Sequence, residues 1–308
     1  MLHYLLPIVI PLGSMMVPLV VILWIRRLRK SRRSPLTAQL LRSPGEELSK
    51  QIDEINENMD ANFTFLSFTP LMCYTMYLST RIWGDGTTGW LHFVVPCIFF
   101  MAFFSWKLAA GIKIRENLRL GLDCERAVGQ ELNHLMLDGF RVFHDFPADN
   151  FNIDHIVVGA TGVFAVETKG RSKPVKGDVK IVYDGQGVQF PTHYEREPVE
   201  QAKRQADWLS RWLTSAVGAQ VSARPVLVYP GWYIERKKPG LLIYNGKNPQ
   251  VVFKIRAGGE LLSAEMVLRI SHQLEQRCRN VDGLAYKKLS IREILSNDKP
   301  ETNKLTNT

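Results

Sequence analysis

Residues 4–25 (YLLPIVIPLGSMMVPLVVILWI) hold 22 consecutive positions without a charge, and this run constrains the fold more than any other feature. At about 1.5 Å per residue, a helix of that length crosses a hydrocarbon core of about 30 Å. Arg26, Arg27, Arg29, Lys30, Arg32 and Arg33 follow at once. Basic residues beside a membrane segment stay on the cytoplasmic side, so the N-terminus is expected outside. A cleaved signal peptide is the competing reading, but no basic region precedes the run.

A second apolar run covers about 63–82 and a third about 90–110, joined by the short link RIWGDGTT. Together they read as a membrane hairpin, and three crossings return the chain to the cytoplasm ahead of Lys113, Arg115 and Arg119. Thr64, Ser67, Thr69, Pro70 and Thr75 dilute the second run. A buried or interfacial helix is its alternative, and would put everything after it outside. Between the first two runs, residues 43–62 (SPGEELSKQIDEINENMDAN) read as a polar cytoplasmic helix, part of a solvated linker over 26–62. The expectation is a multi-pass protein of the bacterial inner (plasma) membrane, with residues 1–112 as the membrane region.

Charge bounds the second half. The chain carries a net charge of +9, but residues 120–295 hold 24 Lys and Arg against 20 Asp and Glu, while residues 1–119 hold 13 against 8. More than half of the excess therefore bears on membrane topology rather than on a polyanionic ligand. The four cysteines, Cys73, Cys97, Cys124 and Cys278, have no ligand spacing, which argues against a zinc site or a disulfide framework. No GxxxxGK phosphate loop is present, so any nucleotide-driven motor belongs to another protein.

Residues 120–295 read as one α/β domain and 296–308 as a disordered tail. In DCERAVGQELNHLML, Val128, Leu132 and Leu135 fall at helical spacing, Glu125 shares their face, and Gly139 suits the helix end. Glu131 lies about 240° around from Glu125 and faces solvent. Strands are expected in RVFHDFPA, NIDHIVVG and GVFAVETKG, then a short pair in KIVYDGQGVQF turning at Asp184 and Gly185. A helix over about 198–217 carries the stripe Val199, Ala202, Ala206, Leu209 and Leu213, with Pro198 at its start. Strands ARPVLVYP and VVFKI and a helix over about 263–278 complete a central sheet with helices on both faces.

The chemistry lies in the register of one hairpin. If strands 152–158 and 163–169 are symmetric about Ala160 and Thr161, Asp154 lies opposite Glu167. Lys169 shares the Glu167 face, because side chains alternate along a strand. Facing Cβ atoms in such a pair are about 4.5–5.5 Å apart. Ile156, Val158, Val163 and Ala165 are expected on that face, and Ile153, Val157, Phe164 and Val166 on the other. His155 points away and reads as packed. Two carboxylates this close repel unless a proton or a cation sits between them. Asp154, Glu167 and the carbonyl of Thr168 suit Mg²⁺, or Mn²⁺, with retained waters, and Lys169 suits an anionic transition state. A structural ion-pair network of the same residues is the equal alternative on spacing alone.

At these residues the sequence resembles the nuclease-related domain (NERD) family, a branch of the PD-(D/E)xK restriction-endonuclease-like superfamily. The resemblance covers about 122–213 and rests on CERAVGQEL, VFHDF, NIDHIVVGATGVFAVETKG and EPVEQAKRQADWL in that order. It implies a restriction-endonuclease-like central mixed sheet flanked by helices, with Asp154 and Glu167 as metal-binding carboxylates and Lys169 as the catalytic lysine. It also implies that Glu125 is the helix glutamate and that Gln201 contacts DNA or supports the metal. The family's pattern has Gly directly before the helix glutamate, where this chain has Cys124.

Trp208 and Trp212 share a helical face with Gln201 and Gln205, for base stacking or for core packing. Arg171, Lys173, Lys176 and Lys180 lie beyond the site, as a phosphate-binding series or a solvated loop. The expected function is a membrane-anchored, metal-dependent nuclease cutting DNA in the cytoplasm, with RNA left open as a substrate and a homo-oligomer allowed. Its rivals are a membrane-tethered DNA-binding module that does not cleave, and a membrane signalling or assembly protein whose α/β domain binds a protein.

Overall fold

The computed structural model describes residues 38–83, 89–255 and 261–282, together with positions 17, 20, 21 and 24. Apart from those four positions, the first apolar run lies outside the described residues, as does the tail 296–308. The chain divides into two compact units, one of 1–40, 67–101 and 281–308, the other of 41–66 and 102–280. This differs from the expected division between 112 and 120, which falls inside a single helix. Helix α2, Leu91–Asn133, runs without a break through Lys113, Arg115 and Arg119. Good helix formers such as Lys, Arg, Glu and Leu outweigh Gly111 and Gly121 there.

Among the described residues, one helix is long and apolar enough to cross a membrane, Leu91–Asp138, and no part of its apolar stretch is buried. Val95, Ile98, Phe99 and Trp106 are exposed along it. The second run lies in helix α1, Glu46–Trp83, which does not meet that standard. Its hydroxyl residues and Pro70 lower the apolarity that length alone would provide. Within the first unit, Tyr77 of α1 meets Phe93 of α2 edge-on at 5.9 Å.

The second unit is built on a mixed sheet of five strands: β1 (Arg141–Pro147), β2 (Asn152–Gly159), β3 (Gly162–Thr168), β7 (Ala223–Val228) and β9 (Leu242–Tyr244). Their order is β9-β7-β3-β2-β1, with β1, β2 and β3 antiparallel in turn and β3, β7 and β9 parallel. The hairpin register is the one expected, with His155 opposite Val166 and Gly159 opposite Gly162. Helices cover both faces. Helices α3 (Glu197–Val217) and α5 (Ala264–Cys278) pack Leu209, Leu213, Ile270 and Leu274 against Ile156, Val158, Val163 and Ala165. On the other face, Val128 and Leu132 of α2, with Leu135 just beyond it, pack against Val157, Phe164 and Val166. Burying each such side chain contributes about 1.5–3 kcal/mol.

Three local readings are corrected. VVFKI is not a strand: Pro249–Phe253 forms a short helix, α4, that presses Phe253 into the core against Phe164 at 4.9 Å. Pro249 at the first helical position supplies the helical φ and has no N–H to lose there. Ile153 joins the cluster of Ile156 and not the opposite face. Alternation breaks where pairing steps from His144–His155 to Phe146–Ile153, beside Asp145, whose φ of 47° is left-handed. Residues 43–62 are not wholly a solvated linker, since Pro44 lies against Gly129 and Gly45 against Leu122.

A second sheet of four strands, order β6-β5-β4-β8, extends the fold: β4 (Lys180–Tyr183), β5 (Val188–Gln189), β6 (Tyr194–Glu195) and β8 (Tyr233–Arg236). Ser263 caps α5 by accepting from the Met266 N–H at 3.1 Å.

Candidate active site

The C-terminal end of β3 carries Glu167, and the following peptide stays tied to β7 through the Lys169 N–H and the Val228 carbonyl at 2.8 Å. That tie holds Lys169 beside Glu167 as if the strand continued. Glu167 is only 2% exposed, and its charge is met from three sides. Its Oε1 accepts from Lys169 Nζ at 2.5 Å and Gln201 Nε2 at 2.7 Å, and its Oε2 accepts from Gln205 Nε2 at 2.7 Å. Lys169 Nζ also donates to Gln201 Oε1 at 2.9 Å, closing a triangle. Positions 201 and 205 are one helical turn apart on α3, so both amides face the same strand end. In the sequence Gln205 stands out only as a neighbour of the tryptophans, and its position beside the stripe residues Ala202, Ala206 and Leu209 is the signal that marks it.

Asp154 arrives from β2. Its Oδ2 accepts from the Thr168 N–H at 2.7 Å, which anchors the carboxylate to the strand bearing Glu167. Burial, then repulsion from Glu167 and Glu125, pushes its carboxyl well above the usual range. Glu125 approaches from α2 and is pushed up to about 8, first by burial and then by Asp145 and Glu167. The structure therefore brings Glu125, Asp154, Glu167, Lys169 and Gln201 to one place. Glu131 is exposed, as expected. Cys124 raises no difficulty about the helix start, because it lies deep within α2 and its Sγ packs toward Gly170.

A hollow of about 460 Å³ opens on Asp154, walled by Glu47, Glu125, Asp145, Phe151 and Asn152. The sequence did not point to Asp145. It is 3% exposed and saturated: Oδ2 accepts from Arg42 Nε at 3.0 Å, Arg42 Nη2 at 2.7 Å and the Glu47 N–H at 2.8 Å, and Oδ1 accepts from Asn152 Nδ2 at 3.0 Å. Burial still raises its pKa against the pull of Arg42. Its signal in the sequence is slight, one acid between Phe143 and Phe146 in a strand.

His155 is fully buried and turned away from the carboxylates, its Nδ1 3.0 Å from His144 Nδ1. His144 Nε2 lies 3.0 Å from Asn133 Oδ1, an acceptor, so His144 carries its proton on Nε2 and accepts at Nδ1 from His155. Burial lowers His144 to about 4 and holds His155 well below its usual value.

The basic residues past the site divide. Arg171 is held by both oxygens of Glu195 at 2.8 and 3.0 Å, and Lys180 pairs with Glu235. Both brace the second sheet. Lys173 and Lys176 are exposed with no ion-pair partner among the described residues.

The donor set around Asp154 and Glu167 is oxygen-rich and short of positive charge. Thr168 Oγ1 and Gln205 Oε1 are buried beside it without a hydrogen-bond partner among the described residues. No three His, Cys, Asp or Glu side chains among the described residues are grouped to hold a metal alone. Mg²⁺ commonly takes one or two carboxylates and keeps several waters, so the residues present fit that ion. In agreement with this geometry, residues 120–230 match the family model of the nuclease-related domain. Neither the curated proteins nor the solved structures give a match to the chain.

Proposed function

We propose that the protein is a membrane-anchored nuclease that hydrolyses phosphodiester bonds of DNA in the cytoplasm with a divalent cation, Mg²⁺ or Mn²⁺. One observation carries the reading: two carboxylates that repel each other, Asp154 and Glu167, meet an amine, Lys169, inside a nuclease-related domain. Asp154, Glu167 and the Thr168 carbonyl would hold the ion. When bound, it supplies an acidified water and neutralises charge on the phosphate oxygens.

The chain's own residues do the rest. The Thr168 N–H fixes the Asp154 carboxylate, and Gln201 and Gln205 fix that of Glu167, so neither reorganises when substrate arrives. Lys169 Nζ, shared between Glu167 and Gln201, is placed to orient the attacking water and to donate to the anionic oxygen that develops. Glu125 closes the far side of the hollow from α2, and its carboxyl group helps to raise that of Asp154.

The proposed topology has three crossings at about 4–25, 63–82 and 90–110, with the N-terminus outside. The uncharged first run, the Arg and Lys cluster that follows it and the apolar stretch of α2 support it. The test of function is metal-dependent degradation of DNA by the full chain in detergent. Asp154→Ala and Lys169→Ala should each lower the rate about a hundredfold or more. Activity unchanged in both variants would remove the assignment. A second reading, DNA binding without cleavage, is favoured by the saturation of Glu167 with three donors. It predicts metal-independent retention of DNA and no product.

A further inference from the structure

Beside the acidic hollow lies a second one of about 580 Å³, within the range of about 300–1,000 Å³ of small-molecule sites. Phe151 lines both, and Gln201 and Gln205, which hold Glu167, form the wall of the second nearest to the site. The rest of its lining is Trp208, Arg204, Arg211 and the carboxylate of Asp207. An aromatic hollow thus adjoins the reacting groups, with cations on its rim.

We propose that this hollow receives an unpaired nucleobase of the DNA strand whose phosphate lies at Asp154 and Glu167, which makes single-stranded or frayed DNA the preferred substrate. The proposal rests on the nuclease reading and adds the form of its substrate.

Trp208 is held rigidly. Its Nε1 donates to Asp149 Oδ2 at 3.1 Å, its ring lies parallel to Trp212 at 6.1 Å, and Phe151 meets it edge-on at 5.5 Å. The Arg277 guanidinium lies 5.4 Å from the Trp208 ring centroid and is itself tied to the Pro147 carbonyl and Asp149. A platform fixed this way loses little freedom when a base stacks on it. Arg211 is exposed and has no ion-pair partner among the described residues, as is true of Lys203 on the same helix, whereas Arg204 pairs with Glu197 and Glu200. Free cations beside an aromatic wall are the combination that tracks a single strand, with phosphates on the basic groups and bases on the rings. A base within duplex DNA is already stacked on both faces, so a concave aromatic site takes it only once it has left the stack. The modest charge of residues 120–295 agrees, since duplex binding without base contacts draws on many phosphate contacts.

The test uses the full chain in detergent carrying Asp154→Ala, without metal, so that binding is read without cleavage. A labelled oligothymidylate and a blunt, loop-closed duplex of equal length are titrated by fluorescence anisotropy. The single strand should bind about tenfold or more tightly than the duplex, and quench tryptophan emission. Phe151→Ala and Arg211→Ala, both at exposed positions, should each remove most of that preference without lowering the melting temperature. Trp208 packs on the core, so its substitution would disturb folding as well as binding. Equal affinity for both forms, or a preference untouched by Phe151→Ala and Arg211→Ala, overturns the proposal. With Asp154 intact and Mg²⁺ present, equal cleavage of single strands and closed duplex would sink the hollow and leave the nuclease standing. Strand preference with no cleavage of any DNA would sink the nuclease reading instead.

Discussion

The His144–His155 pair shows how much one proton matters at the scale of a residue. The contact needs one bare nitrogen facing one N–H, so both rings are neutral, and the lowered pKa of each expresses that. As pH falls, the unfolded chain takes up the His144 proton near pH 6.5, while the folded chain resists until about 4. This contribution to stability is complete above pH 6.5 and declines between pH 6.5 and about 4. Glu125 has the opposite sign: with its carboxyl raised to about 8, its contribution is complete below about pH 4.5 and is lost as pH rises through 8. Comparing His144→Gln with the parent by urea unfolding isolates the first effect. The parent's midpoint should fall between pH 7 and pH 5 and the variant's should fall less; equal slopes would show that the pair takes no part. In the sequence His155 was legible as packed, because it neighbours Asp154 on an alternating strand. Its partner was not, since no spacing rule links the β2 histidine to one on β1.

Among elements, those with strong periodicity were legible. The β2–β3 hairpin could be paired residue by residue because β-branched residues alternate around a tight turn at Gly162, and α3 could be placed from its stripe and Pro198. Strands β8 and β9 were not read: they are short and broken by Gly231, Pro239 and Gly240, and pairing partners rather than composition hold them. The hairpin also contains a close approach that composition does not reveal. A Cβ placed on Gly159 would come 2.3 Å from Phe140 Cδ1, and Phe140 is buried where the chain enters β1. Gly159→Ala should therefore destabilise the protein by about 1–3 kcal/mol through overpacking. Thermal or urea unfolding measures this, and trimming the ring in the double variant with Phe140→Ala should cost less than the two single changes added together. Additivity would mean that the contact is not what makes glycine necessary.

For the whole molecule, the least legible feature is the joining of distant segments at the acidic hollow. Asp154, Glu167 and Lys169 are close in sequence and Glu125 shares a helix face with core residues, so four members of the site were within reach of local rules. Arg42 and Asp145 are separated by 103 positions, and Arg42 belongs to a stretch whose polarity suggests only a linker. In the fold it is the cation that pairs with a buried carboxylate beside the site, and the Glu47 N–H at the start of α1 completes the arrangement. Both partners are almost inaccessible to water, with side chains 6% and 4% exposed, so screening is weak and loss of one partner strands the other. Arg42→Ala should cost about 3–5 kcal/mol, most of it the penalty of an unpaired buried charge and not the net worth of the pair. The double variant Arg42→Ala/Asp145→Asn should recover a substantial part, because no charge is then left to be solvated. Unfolding of the full chain in detergent reads both values. If the single variant melts with the parent, the residues preceding α1 are an accessory to the α/β unit. If it melts early and the double variant recovers, they are part of it, and Arg42 is a structural cation of the α/β unit.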